Sequence, residues 1–273
     1  MKPPRSASVI LSALIASLFV GCDIPSGTGG RPIEFELRLE SAREPGRPVG
    51  SFRTSTGWEV TLSSAYVAIG PVYFYENAPA VARLDEPPTD GVFARLWAAC
   101  VPEAHAHPGD QHFFGGAVKG EWLGQVVFDA LSTSPLSLGR IPGIAGVSRS
   151  LSLGLYPPRQ SFVGDSSPLK GYHAYVNGLA EKDGTLVPFV GGLSIENEGT
   201  LRRVDGVPLD TQLNEQSVIT LQLHLASWFD GALFDRLEQA PPGEAALITP
   251  TSQVRTAWFL GARGASAFSV IAE

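Results

Sequence analysis

Residues 33–40 read Ile-Glu-Phe-Glu-Leu-Arg-Leu-Glu. Apolar and charged side chains alternate without a break. Ile33, Phe35, Leu37 and Leu39 fall on one face, Glu34, Glu36, Arg38 and Glu40 on the other. Successive side chains of a strand point to opposite faces, so this period describes a strand with one buried and one solvated side. A helical stripe would also need apolar residues three apart, which this segment lacks.

The same pattern recurs along the chain. Trp58, Val60 and Leu62 alternate with polar residues, and Tyr66 to Tyr75 is rich in β-branched and aromatic side chains. Pro71 interrupts that run, which predicts a bulge or an edge there. Trp122 to Leu131 reads as a strand. Leu151, Leu153 and Leu155 alternate with Ser and Gly before Pro157-Pro158. Residues 172–179 alternate again, and Lys182-Asp183-Gly184 predicts a turn before Leu186 to Val190. Ile219, Leu221, Leu223 and Leu225 share a face, and Phe268, Val270 and Ala272 end the chain in a strand pattern. Helical spacing is found at Trp228 to Leu237, through Phe229, Leu233 and Leu237. The expectation is a mainly β protein. Its form is an antiparallel β-sandwich with long loops, at 76–92 and 100–120, and one short helix near 228–237. No fixed-period repeat points to a propeller or solenoid.

Composition agrees with this class. Gly 30 and Pro 22 make up nearly a fifth of 273 residues, against an average of about 12 %. That excess favours many turns over a helical bundle. Hydrophobic residues at 44 % supply enough material for a core. Two cysteines cannot build a disulfide scaffold. A net charge of −7 gives no basic face, so no nucleic-acid partner is expected.

The first residues read as a targeting segment. Lys2 and Arg5 are followed by an uncharged run from Val9 to Gly21. The run is shorter than the ~20 residues of a spanning helix and suits the apolar region of a signal peptide. Cys22 follows directly. Phe19-Val20-Gly21-Cys22 resembles the lipobox of bacterial lipoproteins, with Phe19 where the family usually has Leu. The resemblance implies a signal peptide over residues 1–21, lipidation of Cys22, and a lipid anchor in the bacterial envelope, periplasmic or cell-surface. An ordinary cleaved signal with an incidental Cys22 is the alternative. Removing residues 1–21 takes away two positive charges and no negative one, moving the net charge from −7 to −9. Residues 22–31 contain Ser26-Gly27-Thr28-Gly29-Gly30, a flexible tether, which leaves 32–273 as a single sandwich-like domain.

One segment carries a chemical signal. His105, His107 and His112 fall within HAHPGDQH, and Cys100 lies five residues before the first. In an extended segment, residues two apart share a side, and Pro108-Gly109 can turn the chain to bring His112 back. Neutral imidazoles suit copper, zinc and nickel, and a thiolate favours Cu(I) or zinc. Asp110 is a further ligand candidate or an acceptor for an imidazole N–H; Glu103 is a lesser one. The metal-ligand candidates are therefore His105, His107, His112 and Cys100, with copper or zinc as the cofactor. His173 or His224 would complete the set from a strand. The competing reading makes these solvated loop histidines, Cys100 a small buried hydrophobe, and His173 and His224 ordinary sheet-face residues.

Other chemistry is not signalled. There is no G-x-S-x-G elbow, H-E-x-x-H or Walker loop. Glu196 and Glu198 around Asn197 read as a turn rather than a carboxylate pair. Trp58, Tyr73 and Tyr75 are residues that stack on sugars when exposed, although strands mostly use them for packing.

Residues 57–75, GWEVTLSSAYVAIGPVYFY, and 218–237, VITLQLHLASWFDGALFDRL, resemble the early strand pair and the late strand-plus-helix element of MbnP-like periplasmic proteins. They cover under a fifth of the chain. The resemblance implies a β-sandwich-like fold and an association with copper. Some members use His with an oxidised Trp in a Trp-x-His arrangement; that tripeptide is absent here, so the site is not carried over. The leading expectation is a membrane-anchored, extracytoplasmic metal-binding lipoprotein without enzymatic activity. An envelope module binding protein or glycan is the alternative, and a hydrolase with a dispersed site is the third.

Overall fold

The computed structural model describes residues 30–79, 116–158, 165–195 and 199–273. The segment whose alternation is strictest becomes β1 (Pro32–Ser41), with Ile33, Phe35, Leu37 and Leu39 buried and the charged residues between them facing outward. Two strands flank it. β7 (Leu136–Ile144) runs antiparallel to it, and β12 (Val218–Leu223) runs parallel, with Leu37 opposite Ile219 and Leu39 opposite Leu221. Beyond β12 lies β14 (Phe268–Ala272), the edge of this sheet. Beyond β7 come β5 (Val118–Trp122), β4 (Val72–Tyr75), β8 (Gly146–Gly154) and β11 (Arg203–Leu213), completing eight strands.

The smaller sheet orders β13 (Ala246–Leu247), β10 (Thr185–Leu193), β9 (Ala174–Lys182), β3 (Glu59–Ile69) and β2 (Ser51–Arg53). β6 (Val126–Asp129) pairs with the far end of β3. The turn at Asp183-Gly184 joins β9 to β10 as a two-residue hairpin, both residues having positive φ, 50° and 78°. Side chains of the two inner faces merge into one core, as in a sandwich. Phe35 meets Phe74 edge-on, with ring centroids 5.2 Å apart. Each such fully buried side chain contributes ~1.5–3 kcal/mol over leaving it exposed.

The mainly β sandwich agrees with the alternation, and four details differ from expectation. Two pairings are parallel, β1 with β12 and β10 with β13; periodicity shows which face is buried, not strand direction. Pro71 marks neither a bulge nor an edge but a corner. The chain leaves β3 in the smaller sheet, passes the cis Gly70–Pro71 peptide, and enters β4 in the larger. Residues 122–131 form no continuous strand, because Leu123 to Gln125 carry the chain back from β5 to β6. β5 also begins inside the stretch 100–120 read as irregular.

The fourth difference concerns the helix. Residues 228–237 are not helical throughout. A single turn, α1 (Leu225–Trp228), ends there, Gly231 takes φ 77°, and a 3-10 turn follows at Phe234–Arg236. A residue at positive φ cannot continue a right-handed helix. The apolar spacing serves a different purpose: Phe229 and Phe234 plug the core against Phe189, with centroid distances of 5.8 and 4.8 Å. The longest helix of the described residues is α2 (Gln253–Arg263), capped by Ser252, whose side chain accepts from the Arg255 N–H. Trp258 of α2 reaches Phe229 at 5.5 Å and Trp228 at 5.7 Å. No described helix is long and apolar enough to cross a membrane.

Candidate functional site

Cys22, Cys100, His105, His107 and His112 all lie outside the described residues, as do Glu103, Asp110, Glu196 and Glu198. The strands do fix where the histidine-bearing connection begins and ends. β4 and β5 are antiparallel neighbours, with Tyr75 opposite Val118. The Glu76 N–H donates to the Ala117 carbonyl at 3.0 Å, and Lys119 Nζ lies 3.4 Å from Glu76. Both ends of the connection are therefore held side by side at one end of the larger sheet.

Neither strand histidine sits at that end. The register from β5 through β7 to β1 places Val118 level with the start of β1, near Pro32. His224 follows β12, whose Leu223 is opposite Ser41 at the other end of β1. Ten residues of strand at ~3.3 Å each span ~33 Å. His173 lies beside the β3–β4 corner, its carbonyl accepting from the Ala68 N–H.

His173 is buried rather than displayed on a sheet face, because it precedes β9 and escapes that strand's alternation. Its Nδ1 accepts from the Ile195 N–H at 3.3 Å. The proton of the neutral ring is then on Nε2, which has no partner among the described residues and is enclosed with Leu155, Ile195 and Trp228 in a small apolar cavity. Burial, and then the charge of Arg202, lowers its pKa from 6.5 to about 4.

His224 takes part in a polar chain on the outer face of the larger sheet. His224 Nε2 is 2.7 Å from Ser269 Oγ, Ser269 Oγ is 3.1 Å from Gln222 Oε1, and Gln222 Nε2 is 2.7 Å from Glu40 Oε1. A serine beside an imidazole invites a nucleophile-and-base reading. The direction of the hydrogen bonds opposes it. The Glu40 carboxylate only accepts, so Gln222 turns its amide nitrogen to it and its oxygen to Ser269. The Ser269 hydrogen goes to Gln222, and His224 donates. A general base has to accept from its nucleophile, and this imidazole does the reverse. Burial also lowers the His224 pKa. The outer-face residues Glu40, Gln222 and His224 were readable from the alternation; the partnership with Ser269 depends on strand pairing.

Trp58 belongs to the core, 2 % exposed, with its ring edge-on to Phe234 at 5.7 Å. It is not available to stack on a sugar. Tyr73 and Tyr75 are half-buried on the outer face of β4. Among the described residues, no group of three or more His, Cys, Asp or Glu side chains is close enough to hold a metal ion.

No protein-family model matches the chain, and no curated protein matches it in sequence. Among solved structures, the chain is similar to MbnP from Methylosinus trichosporium, with a TM-score of 0.40 and 9 % sequence identity. The match covers 89 % of this chain and 99 % of that one.

Proposed function

We propose that this chain is an exported, lipid-anchored binding protein that captures copper or zinc through its histidine-rich connection. The observation that carries the reading is the sequence itself. Three imidazoles fall between residues 105 and 112, five residues after Cys100, in one connection between paired strands. Strapping the ends of a loop together removes part of the entropy its side chains must lose to converge on an ion. Imidazole nitrogens and a thiolate are the ligand types that copper and zinc prefer. Cys22, at the end of the apolar leader, would carry the anchor, so the ion is bound outside the cytoplasm. The activity is capture, not catalysis: the ligands bind in their deprotonated forms, and affinity falls as the pH drops through the imidazole pKa of ~6.5.

The test is copper and zinc titration of the detergent-purified protein, side by side with the His105→Ala/His107→Ala double variant. The wild-type chain should bind stoichiometrically and the variant should lose most of that affinity. Equal binding by both proteins would remove the proposal, and binding by neither would remove it and favour an envelope module without a metal.

A further inference from the structure

A cleft of about 490 Å³ opens where the end of β10 meets α2. That lies within the ~300–1,000 Å³ of small-ligand sites. Tyr172 and Ile195 line it from the sheet side. The Tyr172 ring occupies the space that a side chain at Gly192 would need, so it is laid against the β10 backbone, and it remains exposed. Leu201 adds apolar surface, and Phe259 and Arg255 come from α2.

Arg255 is the charged group of this lining among the described residues. Two contacts hold it. Its Nη2 donates to the Ser194 carbonyl at 3.0 Å, and its guanidinium carbon lies 5.1 Å from the Phe259 ring centroid. The first takes one of five N–H donors, and neither brings a negative charge. No carboxylate pairs with Arg255 among the described residues. Helix stability does not account for a cation here. Arg255 is in the first turn of α2, where the macrodipole disfavours positive charge and no acidic residue accompanies it. Arg202 anchors a second guanidinium beside the same wall, its Nε donating to the Ile195 carbonyl at 2.6 Å, and it too has no carboxylate partner among the described residues. In a chain of net charge −7, two unmatched arginines at one cleft mark a place for an anion from outside.

The rest of the lining selects the anion. An inorganic ion would leave Tyr172, Ile195, Leu201 and Phe259 with nothing to cover them. A phosphate ester brings a double charge to a single lining guanidinium. A carboxylate carries one charge and accepts from two parallel N–H groups of a guanidinium. The apolar walls call for an aromatic or branched aliphatic body attached to it.

We propose that this cleft binds a small organic carboxylate, its charged end on Arg255 and its aromatic or branched aliphatic body against Tyr172, Ile195 and Leu201. The proposal does not depend on metal capture. The test is calorimetric titration of the detergent-purified protein with phenylacetate, indole-3-acetate and 4-methylpentanoate, each beside its uncharged amide. At least one acid should bind with a dissociation constant of about 1 mM or tighter. Its amide should bind about ten-fold more weakly or worse, because a charge-assisted hydrogen bond is roughly twice as strong as a neutral one. Arg255→Gln keeps a donor for the Ser194 carbonyl; it should weaken the acid by about ten-fold and leave the amide unchanged. Melting curves establish that the variant is folded. The acid–amide comparison needs only the wild-type chain and decides the matter if the variant is not. No binding by any of the three acids overturns the proposal. So do equal affinities for an acid and its amide, a folded variant that binds the acid like wild type, or phenyl phosphate binding more tightly than every acid.

Discussion

His173 shows how far one side chain depends on where the chain turns. The Tyr172-His173-Ala174-Tyr175 run suggests a sheet-face histidine, yet the strand begins only at Ala174, and the ring is 5 % exposed. Nothing in the residue pattern reveals this, because parity applies only once a strand has started. The consequence is a pH dependence with a definite sign. The folded ring has a pKa of about 4, against 6.5 for the unfolded chain, so the unfolded state binds more protons between those values. The stabilisation from keeping the ring neutral is complete above pH 6.5 and is lost as the pH falls toward 4. At 1.36 kcal/mol per unit the loss amounts to about 3 kcal/mol. Urea melts of the wild-type chain and His173→Asn at a series of pH values separate this residue from the carboxylates, since asparagine keeps an acceptor for the Ile195 N–H but does not titrate. The variant should be flatter between pH 6.5 and 4; equal slopes would mean that the imidazole is not held neutral. The metal-ligand candidates were equally invisible in one respect. Sequence gives their chemistry and spacing, whereas convergence of nitrogens on a point is a property of the fold.

At the scale of elements, alternation identified β1, β8, β9 and β12 because each turns its large apolar side chains to the core face and smaller or polar ones to the other, which leaves a period-two trace even in β8, where the serines of the other face are buried too. The helices left no comparable trace. Residues 228–237 carry helical spacing and form an aromatic plug, while α2 carries Trp258 and Val254 on its buried side and was not recognised. One reason is Gly261, which lowers helix propensity by ~1 kcal/mol relative to alanine. Its place in α2 has a packing cause: a Cβ there would lie 2.0 Å from the Ser227 carbonyl oxygen in α1. The two helices approach so closely only because that atom is missing. Gly261→Ala would gain helix propensity in isolation. In the protein the backbone contact should dominate, with destabilisation of about 1–3 kcal/mol, the usual cost of overpacking. Thermal or urea unfolding measures the sign directly, and a more stable variant would show that α1 and α2 are free to move apart. The outer face of β4 obeys the same element-level rule. Tyr73 and Tyr75 are outward by parity, as the sequence allowed, whereas Tyr156 and Arg203 come to them from a segment after β8 and from β11, which only the sheet order reveals.

For the molecule as a whole, the decisive feature is the place of β1 between β7 and β12. It joins strands from the middle and the last quarter of the chain, and its parallel pairing with β12 needs everything between them to be in place. Such non-local contacts make the two sheets a single folding unit rather than two layers that form separately. The core supports this: Phe35 of β1 meets Phe74 of β4, and their cluster continues without a break to Trp58, Phe189, Phe229 and Trp258 at the other side of the sandwich. Pro32–Glu273 correspondingly forms one compact unit. Phe35→Ala tests the coupling. The ring is fully buried, and its removal leaves a cavity that should cost about 3–5 kcal/mol. Far-UV circular dichroism reports mostly on the strands. Of the five tryptophans, Trp58, Trp228 and Trp258 lie far along the cluster from the mutated ring, and a Trp97→Phe/Trp122→Phe background leaves these three as the fluorescence probe. If the sandwich unfolds as one body, both probes should shift by the same denaturant concentration, and their transitions should stay superimposed. Separate transitions in the variant, with the fluorescence change unmoved, would mean that the larger sheet can open while the smaller sheet and its aromatic plug stay folded.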